Sequence, residues 1–258
     1  IITNHKDVGW TYLAGKNKVY FISERVTAYR NYFLWEMSPD GSNPRKISDL
    51  RLEDSWMDTR FDEKEMVVSG RIGKAIRSQL FIIDITTGSY RQITNDTAAF
   101  FRDPLFIPDG NRIVCAYQSN KRDKNQHEEL YIMNADGSGM KQLTHYPEND
   151  TLIRSFGYKA GPPRWHPTEN FISYLSMQAG KYSLYAVTPD GNRQWKLTEN
   201  AMMEGWHDWS PDGKWLVFDS GKDDGSFYHI MLMNWQTKDI RQLTDTTFHY
   251  HQAPAFVE

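Results

Sequence analysis

The stretch EGWHDWSPDGKWLVFDS, residues 204–220, sets Trp206, His207, Asp208 and Trp209 directly before a turn, Ser210-Pro211-Asp212-Gly213, and an apolar run. Proline fixes φ, aspartate caps its own backbone and glycine takes φ > 0, so these four residues read as a reverse turn between two strands. The design recurs as IPDGNRIVCAYQS at 107–119, HPTENFISYLS at 166–176 and, more degenerate, FDEKEMVVSG at 61–70. The crowd of aromatic, imidazole and carboxylate groups therefore belongs, at least partly, to a repeated structural unit.

Downstream of each hairpin comes a further apolar run with its own turn: YFLWEMSPDGSNPRKIS (32–48), QLFIIDITTGSYRQIT (79–94), ELYIMNADGSGMKQLT (129–144), SLYAVTPDGNRQWKLT (183–198) and HIMLMNWQTKDIRQLT (229–244). Their closing dipeptides fall at Ile47-Ser48, Ile93-Thr94, Leu143-Thr144, Leu197-Thr198 and Leu243-Thr244, with spacings of 46, 50, 54 and 46 residues. The runs are short and rich in β-branched and aromatic residues, and no sustained helical periodicity appears, so the class is all-β. Four strands per period of roughly 40–50 residues describe the four-stranded blades of a β-propeller. One domain, 1–258, is expected, with units at about 7–50, 52–95, 98–145, 156–199 and 203–245. TFHYHQAPAFVE supplies one extra innermost strand, which would either complete the first blade or begin another, for five or six blades.

Composition sets the remaining bounds. With 39% hydrophobic and 14% aromatic residues the chain can bury a large core. A net charge of −3 with interspersed signs offers no basic stripe, so neither nucleic acid nor membrane insertion is expected as a partner. The opening IITNHKDVGW resembles neither a secretory leader nor a start, which reads as a processed chain. The single cysteine, Cys115 in RIVCAY, is expected as a buried thiol. No Gly-x-Ser-x-Gly elbow and no glycine-rich phosphate loop is present, which disfavours serine peptidase and nucleotide-binding roles.

The carrying motifs Ser210-Pro211-Asp212-Gly213-Lys214, Pro108-Asp109-Gly110, MNADGSGMKQLT and DIRQLT resemble the PD40 (WD40-like) repeats of TolB-like proteins and of the amino-terminal propellers of dipeptidyl-peptidase-IV-type proteins. The resemblance implies a bacterial exported or periplasmic protein, and a rigid scaffold that binds a protein, peptide or glycan across its channel face. In such a fold the segments entering the innermost strands line one channel mouth. The candidates there are Arg60, Arg102, Arg164, Trp206, His207 and Asp208, with the arginines suited to acidic sugars or, more simply, to interblade ion pairs such as Arg102-Asp103.

In FHYHQAP, His249 and His251 alternate and so share one face of a strand, with His207 from the adjacent unit available as a third ligand. Oligogalacturonate lyases, which have propellers of this repeat type, hold a divalent metal on histidines and a glutamine. That resemblance implies His207, His249, His251 and Gln252 as a site for manganese, calcium or zinc, and a metal-dependent lyase as the alternative function. A scaffold with no cofactor is the favoured reading, because the repeat motifs all have structural explanations.

Overall fold

The computed structural model describes residues 8–15, 17–24, 31–73, 76–120, 122–123, 126–152, 158–222, 224–247 and 249–256. Among them all regular structure is strand, arranged as five antiparallel sheets. The first sheet is β1 (Val8–Gly15), β2 (Lys18–Ser23), β3 (Phe33–Met37) and β4 (Arg45–Lys46). In the second, β7 (Glu65–Ile72), β8 (Ile76–Asp84) and β9 (Tyr90–Gln92) follow an inner strand broken into β5 (Arg51–Leu52) and β6 (Asp58–Thr59), both paired with β7.

The third sheet runs β10 (Phe100–Phe106), β11 (Arg112–Gln118), β12 (Glu129–Asn134), β13 (Lys141–Gln142). The fourth runs β14 (Ala160–Trp165), β15 (Ile172–Gln178), β16 (Lys181–Val187), β17 (Gln194–Lys196), and the fifth β18 (Met203–Trp209), β19 (Trp215–Gly221), β20 (Tyr228–Asn234), β21 (Ile240–Gln242). These are the five blades that the repeat called for, and the fold class is an all-β propeller.

The chain forms two compact units: Ile1–Arg122 with Met133–Met140 and Val257–Glu258, and Asp123–Ile132 with Lys141–Phe256. Within the first, both faces of the second sheet are covered, and the period-2 alternation of a strand then explains why the runs Met66–Val68 of β7 and Leu80–Ile83 of β8 are apolar at every position. Met66, Val68, Phe81 and Ile83 pack with Tyr20, Ile22 and Leu34 of the first sheet, whereas Val67, Leu80 and Ile82 face Phe101, Phe106, Ile113 and Cys115. Cys115 is fully buried, as expected of a core thiol, and burial pushes its pKa far up. In the second unit Phe171, Leu184 and Ala186 pack against Trp209, Leu216, Phe218 and Met233. Each fully buried leucine, isoleucine, valine, methionine or phenylalanine among them contributes roughly 1.5–3 kcal/mol.

The closing dipeptides have a specific task. The hydroxyls of Thr94, Thr144 and Thr244 accept the backbone N–H groups of Leu80, Leu130 and Ile230 at 2.8, 2.9 and 3.0 Å. Each latches a last strand of only two or three residues to the strand before it. In the fourth blade Glu204 does this work, accepting from Leu184 N and from the Thr198 hydroxyl.

One expectation is corrected. Residues 249–256 are not a strand of any sheet; they make only the isolated parallel bridge Tyr228↔Tyr250. Ala253 adopts φ 56°, in the left-handed region, which interrupts an extended run.

Candidate functional site

The inner strands are interrupted near one recurrent place. Their ladders with the next strand shift register between Arg102 and Leu105, between Ala160 and Pro163, and between Glu204 and His207. In the second blade the same place is the gap between β5 and β6. Such bulges turn polar groups out of the ladder and leave backbone N–H groups to be satisfied by side chains.

In the first unit, the Ser55 hydroxyl accepts the Asp103 N–H at 2.7 Å and donates to Asp103 Oδ1 at 3.1 Å, while Oδ1 also accepts the Trp56 N–H at 2.7 Å. Asp58 Oδ2 accepts the Phe106 N–H at 2.9 Å. Arg60 pairs with Glu65 of its own blade at 2.8 Å, and its guanidinium lies over the Phe106 ring at 4.9 Å. Arg102 stacks on Phe100 at 4.9 Å. Arg102 thus lies on an aromatic face, and Asp103, at φ 50°, holds backbone.

In the second unit the centre is Ser173, buried on β15. Its hydroxyl meets His207 Nε2 at 2.8 Å, accepts the Trp209 indole N–H at 2.9 Å and reaches the Arg164 carbonyl at 3.3 Å. His207 is 1% exposed, and burial first, then the Arg164 cation, hold its pKa well below the usual histidine range, so the ring is neutral. With the serine proton directed to the Arg164 carbonyl, Nε2 carries the imidazole proton. Arg164 itself is buried, donates to the Pro163 carbonyl at 2.9 Å and lies 3.8 Å from Asp208.

Asp208 and Asp219 fasten residues 249–256. Asp208 Oδ2 accepts the Phe256 N–H at 2.8 Å and Asp219 Oδ2 the Ala253 N–H at 3.0 Å. Burial raises both carboxyls, Asp219 to about 7. Gly205 makes this arrangement possible: a Cβ there would stand 1.8 Å from Asp219 Oδ1. An aspartate near 4 when unfolded and near 7 when folded binds more protons in the native state between those values, so stability falls as pH rises from about 4 to 7. Melting temperature is therefore expected to be higher at pH 5 than at pH 7, and Asp219→Asn to flatten that slope by about 2–4 kcal/mol across the window.

Of the remaining candidates, Trp206 is 37% exposed, His249 and Gln252 are exposed, and the half-buried His251 stacks on His229 with ring centroids 6.1 Å apart. The metal set implied by the lyase resemblance does not fit these residues. His207 Nε2 is committed to Ser173 inside the fold, and among the described residues no three His, Cys, Asp or Glu side chains come together to hold an ion. Sequence reasoning missed Ser173, Asp219 and Gly205. The signal for the first two was a polar residue inside an apolar strand run, in FISYLS and WLVFDS.

Repeated four-stranded blades with side-chain latches and bulged inner strands define a β-propeller of the repeat type. The family described as TolB beta propeller domain, PD40, matches residues 12–257, and the chain belongs to that family. TolB from Acinetobacter baumannii superposes with a TM-score of 0.72 at 21% identity, covering 94% of this chain and 56% of that one. An oligogalacturonate lyase from Vibrio parahaemolyticus gives 0.66 at 14% identity, covering 95% and 68%. Dipeptidyl-peptidase 5 from Porphyromonas endodontalis is 30% identical over 112 residues, 43% of this chain and 15% of that protein's length. Among the described residues no helix is long and apolar enough to cross a membrane.

Proposed function

We propose that the chain is a non-catalytic binding scaffold of the TolB kind, exported to the periplasm, which takes a protein, peptide or glycan ligand at the bulged ends of its inner strands. The observation that carries this reading is the use made of the groups that could do chemistry. The His207 imidazole and the carboxylates of Asp58, Asp103, Asp208 and Asp219 all hold backbone or buried side chains in place. Next to His207 in the chain, Trp206 presents a partly exposed indole, a side chain suited to stack on a sugar ring or a peptide side chain.

Titration of oligogalacturonates, peptidoglycan fragments and a peptide array onto the protein tests the reading. A ligand from one of these classes is expected to bind, and Trp206→Ala to weaken it about tenfold or more while the fold persists. Turnover of an acidic polysaccharide that disappears on His251→Ala would overturn the scaffold reading. Cell fractionation tests the location.

A further inference from the structure

One row of side chains breaks the pattern of the blades. The N–H groups of Ile47, Ile93, Leu143, Leu197 and Leu243 donate to the carbonyls of Leu34, Leu80, Leu130, Leu184 and Ile230, which makes those five acceptors equivalent. Two residues further along each third strand stand Glu36, Ile82, Ile132, Ala186 and Leu232, so four blades place an apolar residue where the first places a carboxylate. Glu36 is only 6% exposed. It pairs directly with Tyr20 of β2 and with Arg45 of β4, and Lys18 lies on the same face of β2 as Tyr20. A charge at a position that otherwise packs blade on blade lowers stability unless it is compensated, and a broken local rule of this kind is characteristic of a functional site.

Between this row and the second blade lies a pocket of about 410 Å³, lined among others by Lys18, Tyr20 and Arg45 of the first sheet and by Glu63, Ile85 and Thr86 in turns of the second. Lys18 Nζ, Arg45 Nε and Arg45 Nη2 all donate to Glu36 Oε1, at 2.7, 3.0 and 2.9 Å, whereas Glu36 Oε2 is buried with no partner among the described residues. Burial alone would raise the Glu36 carboxyl, but the Lys18 and Arg45 hydrogen bonds and charges outweigh it and hold it below the usual range. The three groups therefore carry one net positive charge, and both cations are about half exposed, with donors left over. Tyr20 is 2% exposed, and its hydroxyl makes no hydrogen bond among the described residues. Burial first, then Glu63 and Glu36, push it up to about 12, while Arg45 acts in the opposite sense, so the phenol is a neutral donor within reach of both signs. Glu63 is engaged within the fold and, as a carboxylate with about four acceptor positions, takes a further donor.

We propose that this pocket binds a dipeptide-sized zwitterion, its carboxylate held by Arg45, Lys18 and the Tyr20 hydroxyl and its ammonium by Glu63. The volume accommodates about a dozen non-hydrogen atoms at roughly 30 Å³ each. Ile85 supplies an apolar wall for the carbon between the two charges. The Glu63 and Glu36 carboxylates select against phosphate, sulfate and dicarboxylates, which would set a second negative charge beside them. None of these residues lies at the bulges of the inner strands, so the site stands whether or not the scaffold reading holds.

The probe is L-alanyl-L-alanine, titrated calorimetrically into the whole chain. Saturable binding at one site is expected, weakened about tenfold or more by amidating the carboxylate and, separately, by acetylating the amine. Arg45→Gln, which leaves Lys18 on Glu36, should weaken the dipeptide about tenfold but its amide less than twofold. Glu63→Gln should do the same to the dipeptide while leaving the N-acetyl compound unharmed, because each variant and its matching derivative remove one and the same interaction. Tyr20→Phe should weaken binding about tenfold with an unchanged melting temperature, since the hydroxyl holds nothing in the fold.

Three results overturn the proposal. One is absence of dipeptide binding by the folded protein. Another is binding that ignores Arg45→Gln, Glu63→Gln and Tyr20→Phe but is lost in Trp206→Ala, which seats the dipeptide at the scaffold site instead. The third is equal affinity for L-lactoyl-L-alanine, in which a hydroxyl replaces the ammonium, since Glu63 would then not be reading a positive charge.

Discussion

Gly137→Ala is expected to lower the stability of the protein by about 2–4 kcal/mol, read as a shift in the urea midpoint at constant slope. Gly137 lies in the turn between β12 and β13 with φ 89°, which an L side chain rarely adopts. A Cβ at this position would stand 2.1 Å from the Ile93 carbonyl oxygen and 3.1 Å from its carbon. Those are backbone atoms at the closing dipeptide of the second blade, so no rotamer change relieves the overlap. Gly88 meets the Ile47 carbonyl in the same way, at 2.0 Å, which makes the contact a regular feature of successive blades. Gly73→Ala is the control: φ is 67° but a Cβ would meet nothing within 4 Å among the described residues, and the cost should be about 1 kcal/mol, the conformational part alone. Equal losses in the two variants would mean that the closing dipeptides are not held by this packing.

Asp208→Ala carries the second large effect, about 3 kcal/mol. It removes the acceptor of the Phe256 N–H and the carboxylate 3.8 Å from Arg164, whose side chain is 9% exposed and would remain as a buried cation. Amide exchange at Phe256 should accelerate together with the loss of stability, because residues 249–256 lose one of their two carboxylate anchors. Asp208→Asn keeps an oxygen to accept that N–H and should slow the exchange again while recovering only a fraction of the stability. Asp58→Ala, which frees the Phe106 N–H, should cost about 1–2 kcal/mol. If Asp58→Ala and Asp208→Ala cost the same, the Arg164 contribution is nil.

The blades were legible because a turn residue and an alternating apolar run are local signals. Pro108-Asp109-Gly110 and Ser210-Pro211-Asp212-Gly213 mark hairpins by their own backbone preferences, whatever surrounds them. The site was less legible because its partners are remote and its register is irregular. Counting back from the turns places Arg60 beside Arg164, yet the second blade has no Pro-Asp-Gly to count from. Matching the first backbone bonds of the hairpins, Arg60 N to Glu65 O and His166 N to Phe171 O, sets Arg60 against His166 and Asp58 against Arg164. His249 and His251 would share a face only on a continuous strand. Residues 249–256 are not one, and His251 stacks on His229 while His249 is exposed. The polar residue in the apolar run WLVFDS marks Asp219 as unusual, but nothing local to it names its partner, a backbone N–H 34 residues away.

The two-faced packing of the second sheet bears on how such a chain grows. With Met66 and Val68 turned to the blade before and Val67 to the blade after, both sides of a blade are apolar and each is complementary to a neighbour of the same kind. A duplicated segment one period long, inserted between two blades, would therefore find both of its flanks already matched, and the turn glycine and closing threonine would arrive with it. Ancestral lengthening or shortening by whole periods should leave the interior intact, whereas a gain or loss of half a period would turn a finished flank to solvent.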